Sequence, residues 1–237
     1  MKVHIVHLYP KEMNIYGDTG NRLVLAQRLK WRGYEPVIHL VGLGDELPKE
    51  TDIILGGGGQ DSGQALIIED LAKRKTELKA IANDGATMLM ICGMYQLFGH
   101  YFLTQNGQKL PGISVFDLIT RGSNKRLIGN IISQTPFGEL VGYENHSGLT
   151  ELSKDLQPLG QCPNGQGNNG LDKKEGATVQ NVFGSYLHGP ILSKNPHFAD
   201  ELIRRAIERR TGHKQQLTPL NDDLELAAAN IARSRPR

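Results

Sequence analysis

The 237-residue sequence contains only two cysteines, Cys92 and Cys162. That is too few for a disulfide framework or a metal cluster of the Cys-x-x-Cys type, so no metal site is expected and a reducing, cytoplasmic location is the default. No apolar run reaches the roughly 18 residues needed to span a bilayer. The opening MKVHIVHLYPKEMN lacks a signal peptide's apolar core and meets Pro10, Lys11 and Glu12 instead, so it reads as a first buried strand. Charge of one sign is also missing: 27 basic against 25 acidic residues gives +2, which offers no electrostatic basis for nucleic acid or a membrane surface. With 38% hydrophobic and 22% charged residues the composition is that of an ordinary folded chain, not a disordered one.

The first half alternates short β-rich runs with helical stretches. Val3–Leu8, Val37–Val41, Asp52–Leu55 and Thr87–Ile91 read as strands. Helical spacing lies between them, with Asp18 or Thr19 as cap of the first helix and further helix from about residue 62 to 83. This order predicts an α/β fold, a three-layer, mostly parallel sheet with helices on both faces. The second half is less regular. Strands are expected at Ser114–Ile119, Leu127–Ile132, Val141–Glu144 and Val179–Leu187. Residues 159–176, rich in Gly, Asn and Gln, read as a surface loop or hairpin. One domain is expected over residues 1–237, with C-terminal helices at about 196–232 packed on it and a capping box at Asp222 and Glu225.

Three segments carry chemistry. In TMLMICGMYQLFG, residues 87–99, a buried strand runs into Cys92 and Gly93 turns at once into a helix. Such an elbow lifts the thiol out at the C-terminal ends of the strands and sets it at a helix N-terminus. An ordinary thiol is only about 3% ionised at pH 7, so that partial positive charge helps. A small buried hydrophobe is the plain alternative for such a cysteine. In ILGGGGQDSG, residues 54–63, glycine amides fit either a phosphate cradle or an oxyanion hole pairing Gly58 with Gly93, and a ligand-free turn also stays open. The GxxxxGK[ST] pattern is absent. In VFGSYLHGP, residues 182–190, His188 ends a late strand and can take a thiol proton. His146, in YENHSG, competes for that role.

Together these segments resemble the class I, triad-type glutamine amidotransferases, and CGMYQLFG resembles the cobyric acid synthase branch. LYPKEMNIYGDTGN, LGGGGQDSGQ, KRLIGNI, GYENHSGLT and GSYLHGP extend the likeness over nearly the whole chain. The resemblance implies the class I glutamine amidotransferase fold, Cys92 as nucleophile, His188 as base, Gln96 at a glutamine-contacting position and Arg126 as partner of the substrate carboxylate. It further implies ammonia transfer to a Mur-ligase-like catalytic subunit (MurT type) in a heterodimer. That subunit would amidate the D-glutamate α-carboxylate of lipid II in peptidoglycan synthesis, with ATP and Mg²⁺ on the partner and no cofactor on this chain. Other open readings are service to another amidoligase of the cobyric acid type, a different thiol hydrolase, or a non-catalytic nucleotide-binding subunit.

Two departures stand out. Pro190 occupies the position where many triad enzymes carry an acid, so Glu144 or a partner residue is expected to orient His188. Met90 and Met94 replace the glycines that usually flank the elbow, which demands a gentler turn or small neighbouring residues.

Overall fold

A computed structural model describes residues 1–235; the last two positions of the expected domain lie outside the described residues. The chain begins with β1 (Lys2–Leu8), α1 (Thr19–Trp31), β2 (Glu35–Val41) and β3 (Ile53–Gly56). The expected helix from residue 62 is two helices, α2 (Asp61–Lys73) and α3 (Lys75–Asn83), followed by β4 (Thr87–Ile91) and α4 (Gly93–Leu97). Then come β5 (Tyr101–Leu103), β6 (Lys109–Pro111), β7 (Leu118–Thr135), β8 (Gly138–Leu152), β9 (Gly160–Asn164), β10 (Lys174–Glu175), β11 (Ala177–Val179) and β12 (Val182–Ser185). Helices α5 (Ile191–Lys194), α6 (Pro196–Thr211) and α7 (Asp223–Ser234) close the chain. No helix among the described residues is long and apolar enough to cross a membrane.

The expected parallel sheet is present, in the order β11-β12-β4-β3-β1-β2, with β11 alone antiparallel to its neighbour. Strands β3 and β4 are buried at every residue, which is why they read as unbroken apolar runs. Because β1, β3, β4 and β12 run in one direction, their C-terminal ends converge on one edge. The segments that follow them all meet there: residues 9–18, the glycines 57–59, Cys92, and Tyr186 to His188.

The less regular second half forms a second sheet, β10-β9-β7-β5-β6 with β8 on β7. Apart from β5 beside β7, its pairings are antiparallel. The short strands expected at Leu127–Ile132 and Val141–Glu144 are parts of one long hairpin, β7 and β8, with an irregular register between Gly122 and Leu127. Ser114 lies outside it, at φ +57°. Of the two readings of residues 159–176 the hairpin holds, with β9 antiparallel to β10, and it is partly inside the protein: Leu159, Cys162, Asn168 and Glu175 are all fully buried. Asn168 makes this possible, donating to the Gly176 carbonyl and accepting the Gly176 N–H, both at 2.9 Å. Asp222, expected as a helix cap, makes no side-chain cap bond. It pairs with Arg28 at 2.6 Å, and Arg28 also holds Asp200 at 2.7 Å, so α1, α6 and α7 are clamped together.

Candidate active site

Cys92 sits at φ +51°, ψ −107°, a conformation a non-glycine residue adopts only when its surroundings impose it. Its amide donates to the Ser185 carbonyl on β12 at 2.8 Å, and its carbonyl accepts the Gln96 amide at 3.0 Å, opening α4. The methionine-flanked elbow finds its room on the adjacent strand. A Cβ on Gly56 would lie 2.8 Å from Met90 Sδ and 2.9 Å from Met94 Cβ, so a glycine there admits both side chains.

Gly58 lies between Cys92 and His188. A side chain there would come within 2.9 Å of His188 Cε1 and 3.3 Å of Cys92 Cβ. Its amide, expected to serve an oxyanion, instead donates to Asp18 Oδ2 at 2.7 Å. The amide that borders the thiol is the next one: Gly59 lines the pocket with Cys92, and its nitrogen lies 3.0 Å from the point a Cβ on Gly93 would occupy.

His188 follows β12, and its backbone is fixed by a two-way bridge to Tyr143 at 2.9 and 3.1 Å. Its Nδ1 lies 3.6 Å from Asp18 Oδ1, with both side chains almost fully buried. Burial opposes charge on the imidazole, but hydrogen bonding and attraction from Asp18 and Cys92 outweigh it and hold the pKa at about 9. The Tyr16 ring covers His188 at 4.2 Å between centroids.

Asp18 is the site residue that sequence reasoning missed. It reads as a helix cap, yet its carboxylate makes no cap bond and points across the sheet edge. Its one sequence signal is an acid in the loop between the first strand and the first helix of a parallel α/β pattern. Glu144, the in-chain candidate for that role, accepts the Gln166 and Gly167 amides at 2.9 Å each. His146 lines the same pocket. Its Nδ1 donates to the Gly148 carbonyl at 2.8 Å and its ring stacks on Tyr186, while burial pushes its pKa down to about 3.

The pocket beside Cys92 measures about 370 Å³. Gln96 lines it, buried and held between the Gln64 amide at 2.6 Å and the Tyr186 hydroxyl at 3.1 Å. Arg126 lines it from β7, donating through Nε to Asn145 Oδ1 at 2.6 Å and through Nη2 to the Tyr16 hydroxyl at 2.9 Å. The structure therefore gathers Cys92, His188, Gly93, Gln96 and Arg126 at one edge, adds Asp18, and turns the Gly58 amide away.

A strained thiol elbow, a buried imidazole backed by a carboxylate, and a guanidinium across the pocket define a thiol-dependent amide hydrolase of the glutamine amidotransferase class. Residues 4–196 match the CobB/CobQ-like glutamine amidotransferase domain, and the chain belongs to that family. It is 41% identical over 228 residues to the lipid II isoglutaminyl synthase (glutamine-hydrolyzing) subunit GatD of Streptococcus pneumoniae, covering 94% of this chain and 87% of that protein. To the GatD subunit of Staphylococcus aureus it is 38% identical over 229 residues, covering 96% and 93%. A crystal structure of a glutamine amidotransferase superposes with a TM-score of 0.58 at 14% identity, over 85% of this chain and 98% of that one, a likeness of fold alone.

Proposed function

We propose that the chain is the glutamine-hydrolysing subunit of a lipid II isoglutaminyl synthase. The observation that carries the chemistry is the alignment of Asp18, His188 and Cys92 at the end of the parallel sheet, with Arg126 facing them across the pocket. Likeness to GatD subunits over almost the full length of both proteins supports the choice of ligase.

His188 takes the thiol proton, and Cys92 sulfur attacks the side-chain carbonyl carbon of L-glutamine. The carbonyl electrons move onto oxygen, where the Gly59 and Gly93 amides receive the negative charge. His188 then protonates the nitrogen; the C–N bond breaks, ammonia leaves, and a γ-glutamyl thioester remains on Cys92. Water, deprotonated by His188, attacks the thioester, and glutamate departs as the thiol is restored. Asp18 keeps the His188 Nδ1 proton directed inward, so that Nε2 is the nitrogen that exchanges protons with sulfur and substrate. Arg126 offers its guanidinium to the α-carboxylate, while Gln96, already bonded on both sides, forms a fixed wall for the substrate side chain.

The ammonia passes to a Mur-ligase-like partner, which carries ATP and Mg²⁺ and amidates the α-carboxylate of D-glutamate in lipid II. The deciding experiment measures glutamate release from L-glutamine by the chain alone and with its ligase partner, beside Cys92→Ser. Release that is lost in the variant establishes the glutaminase, and partner-dependent lipid II amidation establishes the ligase. Absence of cysteine-dependent release in both settings overturns the proposal.

A further inference from the structure

Tyr16 touches both ends of the site. Its ring lies 4.2 Å from that of His188, tilted by 50°, and its hydroxyl accepts a hydrogen bond from Arg126 Nη2 at 2.9 Å. The loop that carries it is tied down on both sides. The Ile15 amide donates to the Gly58 carbonyl at 3.1 Å, and Asn14 Oδ1 accepts the Thr19 amide at 2.8 Å. Two residues on, Asp18 Oδ1 lies 3.6 Å from His188 Nδ1.

Arg126 is an exposed residue on a strand, and a free guanidinium there would sample many rotamers. Asn145 on Nε and Tyr16 on Nη2 fix its plane, leaving the remaining N–H groups to meet a carboxylate. The Tyr16 ring meanwhile shields an imidazole that is only 2% exposed, and an aromatic neighbour favours its cationic form.

We propose, building on the glutaminase reading, that Tyr16 is a positioning residue that couples recognition of the glutamine α-carboxylate at Arg126 to the His188 base. Its hydroxyl sets the guanidinium, and its ring keeps water off the imidazole. The two roles are separable by substitution. Tyr16→Phe keeps the ring and loses the hydroxyl. Losing a hydrogen bond to a charged group corresponds to a rise in KM for L-glutamine of roughly tenfold, with kcat within about twofold. The penalty acts through Arg126, so in an Arg126→Gln background Tyr16→Phe adds nothing further to KM. Tyr16→Ala also lowers kcat, and it speeds carbethoxylation of His188 by diethyl pyrocarbonate, with the exposed His213 as internal reference.

The assay is steady-state glutamate release by the chain with its ligase partner, together with peptide mass spectrometry for the His188 adduct. Tyr16→Phe retains the aromatic packing, so it carries the test if Tyr16→Ala misfolds. Wild-type KM in Tyr16→Phe, or penalties that add in full with Arg126→Gln, overturns the coupling. Unchanged carbethoxylation in a folded Tyr16→Ala overturns the shielding role. Cys92-dependent release in the wild type keeps these outcomes distinct from failure of the glutaminase reading itself.

Discussion

Asp18→Asn is the perturbation that discriminates most sharply. The carboxylate lies 3.6 Å from His188 Nδ1. At that distance and an effective dielectric of about 20, it favours the imidazolium by about 4–5 kcal/mol, a factor on the order of 10³ in its population. The asparagine keeps an oxygen for the Gly58 amide, so the glycine turn is preserved. Its NH₂ group, however, would face Nδ1 and favour the tautomer with the proton on Nε2, which cannot accept one from sulfur. The expected result is a fall of at least about 100-fold in kcat/KM for L-glutamine at pH 7.5. The pH profile adds a signed test. Asp18 and Cys92 raise the His188 pKa from 6.5 to about 9, so imidazolium-dependent activity persists to near pH 9 in the wild type. Without Asp18 the alkaline limb moves to lower pH. In stability, a raised histidine pKa contributes fully below about 6.5, and the contribution is lost as pH rises through about 9. Glutamate release across pH 5.5–10, as roughly spaced points, reads both effects. Activity within about threefold of wild type and an unmoved alkaline limb would refute the reasoning. Asp18 would then serve only the Gly58 amide, and the orienting acid would have to come from the partner.

Two further outcomes follow from the same geometry. Gly58→Ala places a methyl 2.9 Å from His188 Cε1 and 3.3 Å from Cys92 Cβ. It should lower kcat at least tenfold and cost about 1–3 kcal/mol in denaturant unfolding, and wild-type turnover would show that the base stands elsewhere. Burial raises the Glu175 pKa from 4.5 to about 7. Its folded form therefore binds a proton more tightly than its unfolded form, and wild-type stability declines as pH rises from about 4.5 to about 7. Glu175→Gln should raise the melting temperature at pH 8, with the gain fading toward pH 4.5; an equal change at both pH values rejects the buried, near-neutral carboxyl.

What the sequence made legible was local. A run of four apolar residues leading into Cys-Gly, or four glycines between a strand and a helix, needs only neighbours in the chain to be recognised. Asp18 was not legible, because it reaches His188 only through the order of β1, β3, β4 and β12 across the sheet. Direction was hidden as well, since nothing in a run of glycines tells which amide faces the thiol. The β7–β8 hairpin was obscured by the exposed polar stretch Arg121–Arg126, which interrupts the alternation of buried residues. In residues 159–176 the hairpin was legible but its depth was not, because asparagine and glycine read as surface even where, as at Asn168, their polar groups are satisfied inside the protein.

The strand order also governs when reactivity can arise as the chain is made. Strand β4 and the Cys92 elbow are encoded in the first 92 positions, but β12 comes roughly ninety residues later and then pairs directly with β4. A ribosome-bound chain therefore carries Cys92 through the synthesis of the next ninety-six residues without His188, and for nearly as long without the Ser185 carbonyl that receives the Cys92 amide. The elbow and the imidazole are brought into register by the same strand insertion. Fragments that end before residue 188 can hold most of the parallel sheet and still lack the imidazole that the proposed mechanism pairs with the thiol.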